Sequence, residues 1–454
     1  MCGWLLNVLY LLALTATGPL WLYRMVRHGR YLRRWRQRLG AAPVRYGLQP
    51  VIWIHGVSVG EVNAARALVA ALHEQLPDFR VVVSSTTDTG LAAAERAFAP
   101  SHEVFQFPLD FTFVVSRALR RLRPSVLVLV EGDVWPNLVA AANRRGVPVV
   151  VVNGRLGPHK GYPRWRLVRP LAARLFNALE AIGVQHEAYA DLFRALGVHN
   201  DKLVVTGMMK FDSARVGDRV PGQEALAEAL GLGDREPLLV AGGTGDGEEA
   251  LVLAAFARRR AAGGPLSRAR LAVVPRKPER FDEAAGAIAS AGFTCVRRSK
   301  RPDGTAGAPL PADAVILGDT MGELRAFYAL ASAAFVGRSL VPMGGSDMIE
   351  AAALARPVAL GPHTFNFPQA EHMVAAGVVR RVADAGELMD ALETWLSEPA
   401  AAAALGRKAQ AHVRSQQGAT RRNAELICRA LGRRPALAPG GIATDAIRES
   451  AHAR

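Results

Sequence analysis

The chain has 454 residues, half of them hydrophobic, which is enough to bury cores in two or more domains and excludes a largely disordered protein. A formal net charge of +16 points to an anionic partner, whether a phospholipid surface, a phosphorylated substrate or nucleic acid. Three cysteines, Cys2, Cys295 and Cys428, have no paired spacing and encode neither a disulfide framework nor a zinc knuckle.

Residues 4–23 form an almost unbroken apolar run of the length that crosses a bilayer as a helix, with Trp4, Trp21 and Tyr23 at its ends and Asn7 and Pro19 interrupting it. Arg24, Arg27, Arg30, Arg33, Arg34, Arg36 and Arg38 follow, and no acidic residue precedes Glu61. The positive-inside rule then predicts a single-pass anchor over 1–40, with the remainder in the cytoplasm and the arginines against anionic headgroups. A cleaved signal would carry its positive charge ahead of the apolar run, where Met1 to Gly3 carry none. A helix lying in the membrane plane is the alternative.

Beyond Gly40, short β-branched runs alternate with Ala/Leu/Arg-rich helical stretches, the pattern of parallel strands with crossover helices. Strands are predicted at 51–55, 80–85, 103–107, 126–130, 149–153, 181–184 and 203–206. A second series is predicted at 238–241, 271–274, 293–297, 314–317, 334–336, 358–360 and 378–382. The expected architecture is α/β: two doubly wound Rossmann-like domains, 41–215 and 216–432, facing a cleft, with a disordered tail over 433–454. Ligands of such sheets sit outside the carboxyl ends of the strands, so residues just after strand ends are the first candidates for a site.

Trp53 to Glu61 runs from the first strand through a Gly-punctuated turn into a helix and places Glu61 in its first turn, as a general base or as a carboxylate complementing the helix dipole. Glu131-Gly132-Asp133 ends a buried strand and suits acid–base work, metal binding or a hydrogen-bonded corner; no ligand-spaced His/Asp cluster accompanies it, so no metal is expected. Lys210, after the last strand of the first half, is a point charge for a carboxylate or phosphate, or a surface lysine.

In the second half, the Gly242-Gly243-Thr244-Gly245 loop and the Gly337–Gly345 turn are expected to offer backbone amides to a phosphate. Arg276 and Lys277 add cations, and Glu350 is placed to accept bonds from ribose hydroxyls. Aromatic residues are not interleaved with these cations, so no nucleic acid is expected.

Taken in order, Ser58-Val59-Gly60-Glu61, Trp135-Pro136-Asn137, Lys210-Phe211-Asp212, Pro278-Glu279-Arg280-Phe281, Gly318-Asp319-Thr320-Met321-Gly322-Glu323-Leu324, Val341-Pro342-Met343-Gly344-Gly345 and Gly361-Pro362-His363-Thr364-Phe365-Asn366-Phe367 resemble the Kdo transferases. These transfer 3-deoxy-D-manno-oct-2-ulosonic acid (Kdo) from CMP-Kdo to the lipid A precursor of lipopolysaccharide. The resemblance implies a GT-B glycosyltransferase at the inner membrane, metal-independent, inverting, with no cofactor beyond CMP-Kdo as donor. It implies Glu61 as base, Glu131 and Lys210 as groups stabilising the transition state, and Arg276, Lys277, Met321, Gly322, Glu323, Asp347, Met348, Ile349 and Glu350 as CMP-binding residues. The chain departs from the family at Asp133, Lys277 and Ser346-Asp347-Met348-Ile349, where the family typically has Glu, His and His-Asn-Pro-Leu. Those departures leave open a related transferase with another nucleotide sugar, or a membrane-surface nucleotide-binding homologue without turnover.

Overall fold

The computed structural model describes residues 3–28, 34–157, 161–233, 236–304 and 309–433. Arg30 and Arg33, and the expected tail beyond residue 433, lie outside them. The chain divides into two compact units, Met1–Ser213 with Gln417–Arg454, and Ala214–Gln416.

The first unit holds a parallel sheet of seven strands: β1 (Val51–His55), β2 (Arg80–Ser85), β3 (Glu103–Gln106), β4 (Val126–Val130), β5 (Val149–Gly154), β6 (Ala181–Val184) and β7 (Leu203–Val205), in the order β3-β2-β1-β4-β5-β6-β7. Buried on both faces by helices, β1 and β4 read as continuous apolar or aromatic runs, and every residue of each is buried. The strand order reverses between β1 and β4, which makes that pair the topological switch point where such sheets bind ligands.

The second unit repeats the plan with β8 (Leu238–Thr244), β9 (Arg270–Pro275), β10 (Thr294–Arg297), β11 (Ala314–Leu317), β12 (Ala333–Val336), β13 (Val358–Leu360) and β14 (Arg380–Arg381), in the order β10-β11-β9-β8-β12-β13-β14. Its switch point lies between β8 and β12. Each predicted strand has its counterpart, with ends that differ by up to three residues. The largest difference is at β8, which continues through Gly242-Gly243-Thr244 as fully buried strand where a loop is expected. A side chain at Gly242 would meet the Tyr328 hydroxyl at 2.4 Å, so glycine keeps this strand end close to the neighbouring helix.

The sequence reading assigns residues up to 432 to the second domain, and here the structure differs. The helix Ala419–Ala430 belongs to the first unit. Asp212 accepts the amides of Gly418 (2.6 Å) and Thr420 (2.5 Å) and so caps the start of this helix from a distant part of the chain. Asn423 follows and accepts the Asn153 amide at 3.2 Å. Helical periodicity reveals an apolar face but not which sheet covers it, so the return crossing is invisible to a reading in chain order.

At the N-terminus, Gly3–His28 is one helix, long and apolar enough over Gly3–Arg27 to cross a membrane by length and composition. Asn7, which interrupts the apolar run, binds the first unit. Its Nδ2 donates to Thr112 Oγ1 at 2.6 Å, and its Oδ1 accepts from Thr112 N (3.1 Å) and Asn137 Nδ2 (3.2 Å). Tyr10 donates to Asp110 at 3.1 Å. The expectation that the following arginines all face headgroups is corrected at two positions. Arg38 is buried and paired with Asp88 at 3.1 Å, and Arg34 pairs with Glu95 at 2.7 Å, because the short helix Trp35–Arg38 packs beside β3 and a buried guanidinium needs an anion.

Candidate active site

In the first unit the turn after β1 closes on itself. Ser58 caps the helix Val59–Gln75 by accepting the Glu61 amide at 3.4 Å, and its hydroxyl donates to Glu61 Oε1 at 2.9 Å. Glu61 Oε2 reaches back to the Val57 amide at 2.6 Å. The Ser-x-x-Glu spacing is that of a capping box, but the carboxylate returns to the Val57 amide, one residue before the cap, and to the Ser58 hydroxyl. Burial nevertheless dominates over these bonds: desolvation, reinforced by the negative charges of Glu131 and Asp133, raises the Glu61 carboxyl to about 7. A base with that value is half ionised at neutral pH, where general-base catalysis is most effective.

Across the switch point, Glu131 follows β4 with φ 64, a left-handed conformation that costs a non-glycine residue about 1 kcal/mol or more. Both neighbours hold it there. Its amide donates to Val152 O at 2.9 Å, and its carbonyl accepts the Arg155 amide at 3.0 Å. By contrast its side chain is poorly supplied, with one long bond among the described residues, of 3.5 Å from Asn153 Nδ2. Desolvation raises its pKa; Arg155 and Lys210 oppose that shift, and Asp133 adds to it. Asp133 is likewise raised by desolvation, against Arg155. Three carboxylates, Glu61, Glu131 and Asp133, therefore share their electrostatics with two cations, Arg155 and Lys210, so the cluster favours retaining a proton.

Asn153 organises this cluster, a role the sequence did not signal. At the end of β5, with φ 52, it accepts the Met209 amide through Oδ1 at 3.1 Å and points Nδ2 at Glu131. Met209 begins the short helical turn that carries Lys210, so one side chain joins the corner of Glu131 to the segment of Lys210. Asparagine tolerates the left-handed region and has both a donor and an acceptor, which suits it to such a junction. Arg155 was missed for a plainer reason: it lies after β5, where no motif marks it.

In the second unit, the loops after β8 and β12 meet around Glu248. Its carboxylate is fully buried and accepts four backbone amides, those of Gly245 (3.3 Å), Ser339 (2.9 Å), Leu340 (2.9 Å) and Arg338. The expectation that the Gly337–Gly345 turn offers these amides to a phosphate is therefore corrected. A carboxylate of the chain already occupies them, since buried amides cannot remain unpaired.

Arg276, Asp347 and Glu350 come together around Tyr328, whose fully buried hydroxyl has no hydrogen-bond partner among the described residues and whose pKa is raised by burial and by Glu350 and Asp347. Lys277 is exposed and lies 3.6 Å from Glu279. Met321 is exposed and Gly322 has φ 90, while Glu323 is bound by Arg298 (2.7 Å and 3.1 Å) and by the Thr320 hydroxyl. Met348 and Ile349 are buried in the core, and Asp347 Oδ1 accepts the Ile349 amide at 3.1 Å. Among the described residues, no group of three or more His, Cys, Asp or Glu is arranged to hold a metal ion.

The sequence model of the 3-deoxy-D-manno-octulosonic-acid transferase (kdotransferase) family matches residues 33–213. The 3-deoxy-D-manno-octulosonic acid transferase of Bordetella pertussis is 36% identical over 92% of this chain and 98% of its own length. The chain belongs to the Kdo transferase family. The Haemophilus influenzae Kdo transferase is 31% identical over 87% of this chain and 91% of its own. Among solved structures, MurG of Acinetobacter baumannii aligns with a TM-score of 0.53 at 15% identity, covering 84% of this chain and 100% of that one, a likeness of GT-B fold alone. Within this Kdo transferase the first unit unites Glu61, Glu131 and Lys210 with Asp133 and Arg155, and the second unites Arg276, Asp347 and Glu350. Lys277 instead lies beside Glu279, and Glu323 is bound by Arg298 and Thr320.

Proposed function

We propose that this chain is an inverting glycosyltransferase that moves Kdo from CMP-Kdo to a hydroxyl of the lipid A precursor at the cytoplasmic face of the inner membrane. The observation that carries the reading is the buried Glu61 carboxyl, raised to about 7 beside Glu131 at the switch point of the first unit. Glu61 accepts the proton of the acceptor hydroxyl, and the acceptor oxygen attacks the anomeric carbon of Kdo as the bond to CMP breaks. Lys210 and Arg155 supply fixed positive charge for the carboxylate of the sugar and for charge developing in the transition state.

Arg276 and Lys277 offset the phosphate of the departing CMP, and Glu350 and Asp347 accept bonds from its ribose hydroxyls. Asp347 and the backbone of Met348 and Ile349 serve the donor, as do Met321, Gly322 and Glu323, the last through the turn it fixes with Arg298. No cofactor besides the donor is required. The N-terminal helix holds the enzyme on the bilayer in which its acceptor resides.

Incubation of the purified protein with CMP-Kdo and a tetraacylated lipid A precursor, followed by mass measurement of the lipid, tests this reading. A product heavier by one or more Kdo units is expected. Glu61→Gln is expected to lower kcat by about 10²–10⁴ at unchanged CMP affinity, the usual yield of a general base. Near-normal turnover of that variant removes Glu61 from the mechanism.

A further inference from the structure

Glu61 has little freedom to meet a substrate directly. Its side chain is buried, Oε2 is committed to the Val57 amide at 2.6 Å, and Oε1 receives the Ser58 hydroxyl at 2.9 Å. The peptide of Val57 is fixed from the other side as well, because its carbonyl accepts the hydroxyls of Thr87 (2.8 Å) and Ser85 (3.2 Å) and the Thr87 amide (3.3 Å). Swinging Glu61 outward would strand the Val57 amide without a partner, an arrangement that proteins avoid.

Ser58 stands differently. It is half-buried where Glu61 is buried, so it lies nearer to solvent. Its one hydroxyl proton points at Glu61 Oε1, while among the described residues its oxygen receives only the long 3.4 Å bond from the Glu61 amide. A hydroxyl oxygen has two lone pairs, so one remains for a further donor. An N-cap needs only an acceptor, which Asn or Asp supplies equally well. A hydroxyl that also donates to the carboxylate is more than capping demands.

We propose that Ser58 relays the acceptor's proton to Glu61. The acceptor hydroxyl donates to Ser58 Oγ; as the acceptor oxygen bonds to the anomeric carbon, its proton passes to Ser58 Oγ and the Ser58 proton passes to Glu61 Oε1. The bond between the anomeric carbon and the CMP phosphate oxygen breaks, and its electron pair leaves with CMP. Glu61 ends as a neutral acid and returns its proton to water before the next turnover. Neutralising Glu61 in this way also relieves its repulsion with Glu131 and Asp133, which face it from the end of β4.

The relay rests on the reading of Glu61 as base, and three variants separate the two. Ser58→Asn keeps the cap but cannot pass a proton, Ser58→Thr keeps both cap and hydroxyl, and Glu61→Gln removes the base. Single-turnover rates on CMP-Kdo and lipid A precursor are measured across pH, together with Tm and CMP binding. The relay predicts that Ser58→Asn loses at least about tenfold in rate at unchanged Tm and CMP affinity, while Ser58→Thr recovers most of it. Wild-type rate in Ser58→Asn beside an inactive Glu61→Gln overturns the relay and leaves the base. Equal losses in Ser58→Asn and Ser58→Thr also overturn it, since the turn geometry would then account for the effect. An active Glu61→Gln overturns both readings.

Discussion

The two sheets share one plan, yet the carboxylates at their switch points, buried for Glu248 and Glu61 and half-buried for Glu131, have opposite fates. Glu248, between β8 and β12, accepts four backbone amides and ties two loops together. Glu131, beside β1 at the first switch point, has one 3.5 Å side-chain bond and a left-handed backbone, and Glu61 shares a proton-rich turn with Ser58. The comparison teaches that burial alone does not distinguish a structural carboxylate from a reactive one. Desolvation raises the carboxyls of Glu61, Glu131 and Glu248 alike. What separates Glu248 is its four backbone amides from two loops, which commit it to structure, whereas Glu61 is bonded only within its own turn and Glu131 by one long bond among the described residues.

The largest effect that would sharpen this contrast belongs to Glu248. Glu248→Ala leaves four buried amides without an acceptor and is expected to cost about 3–5 kcal/mol of folding stability, the range for breaking a buried polar network. Denaturant unfolding of the variant measures it. A loss below 1 kcal/mol would mean that water replaces the carboxylate and that the turn is open to a phosphate after all.

Titration breaks the comparison from the other side. The Glu61 carboxyl keeps its proton to about 7 in the folded state and releases it near 4.5 when unfolded, so between these values the native protein binds more protons and stability falls as pH rises. His55 acts oppositely. Its pKa is lowered to about 3 by burial, so stability is gained as pH rises from there toward 6.5. Both proteins contain His55, and its contribution cancels in the difference between wild type and Glu61→Gln. That difference is expected to shift in favour of Glu61→Gln by up to about 3 kcal/mol between pH 4.5 and 7. A flat difference would show that the bonds from Val57 and Ser58 fully compensate the burial of Glu61.

Glu131 offers the smaller third case. Glycine adopts φ 64 freely, so Glu131→Gly is expected to match or exceed wild-type stability, by about 1 kcal/mol from relief of strain against the flexibility gained by the unfolded chain. Activity is expected to fall sharply. More stable and less active is the signature of a residue retained for chemistry, opposite to that of Glu248.

Much of this contrast was legible in the sequence, and the reason lies in what each feature depends on. The strands were visible because β-branched runs such as Val149–Gly154 must be buried on both faces, and strand ends then direct attention to Glu61 and Glu131. Glu248 was not distinguished from an ordinary helix-start acid, since its partners, Arg338 to Leu340, lie about ninety residues further along the chain. Asn153 and Asn423 were missed for the same reason: each acts through contacts distant in sequence. Asp212 stood out only within a matching motif, and its task is to cap a helix that returns from the far end of the chain.

The smallest expected effect concerns how the N-terminal helix is tied to the reactive corner. Asp110 is buried and accepts the amides of Asn137 (3.0 Å) and Leu138 (2.8 Å), capping the helix Pro136–Asn143 that follows Glu131 and Asp133 in the chain. Desolvation raises its carboxyl to about 6, and the Tyr10 hydroxyl is among the groups that keep it charged. Tyr10→Phe removes that one bond while retaining the ring beside Phe111, so it is expected to cost about 0.5–1.5 kcal/mol, the net worth of a single hydrogen bond. Because Asp110 then favours protonation, the cost is largest above pH 6 and shrinks as pH falls and the carboxyl neutralises in both proteins. Thermal unfolding in detergent at pH 5 and pH 8 measures this. An equal Tm at both pH values for wild type and variant would show that the helix is held by Asn7 and apolar contact alone, and that the Asp110 corner is independent of it.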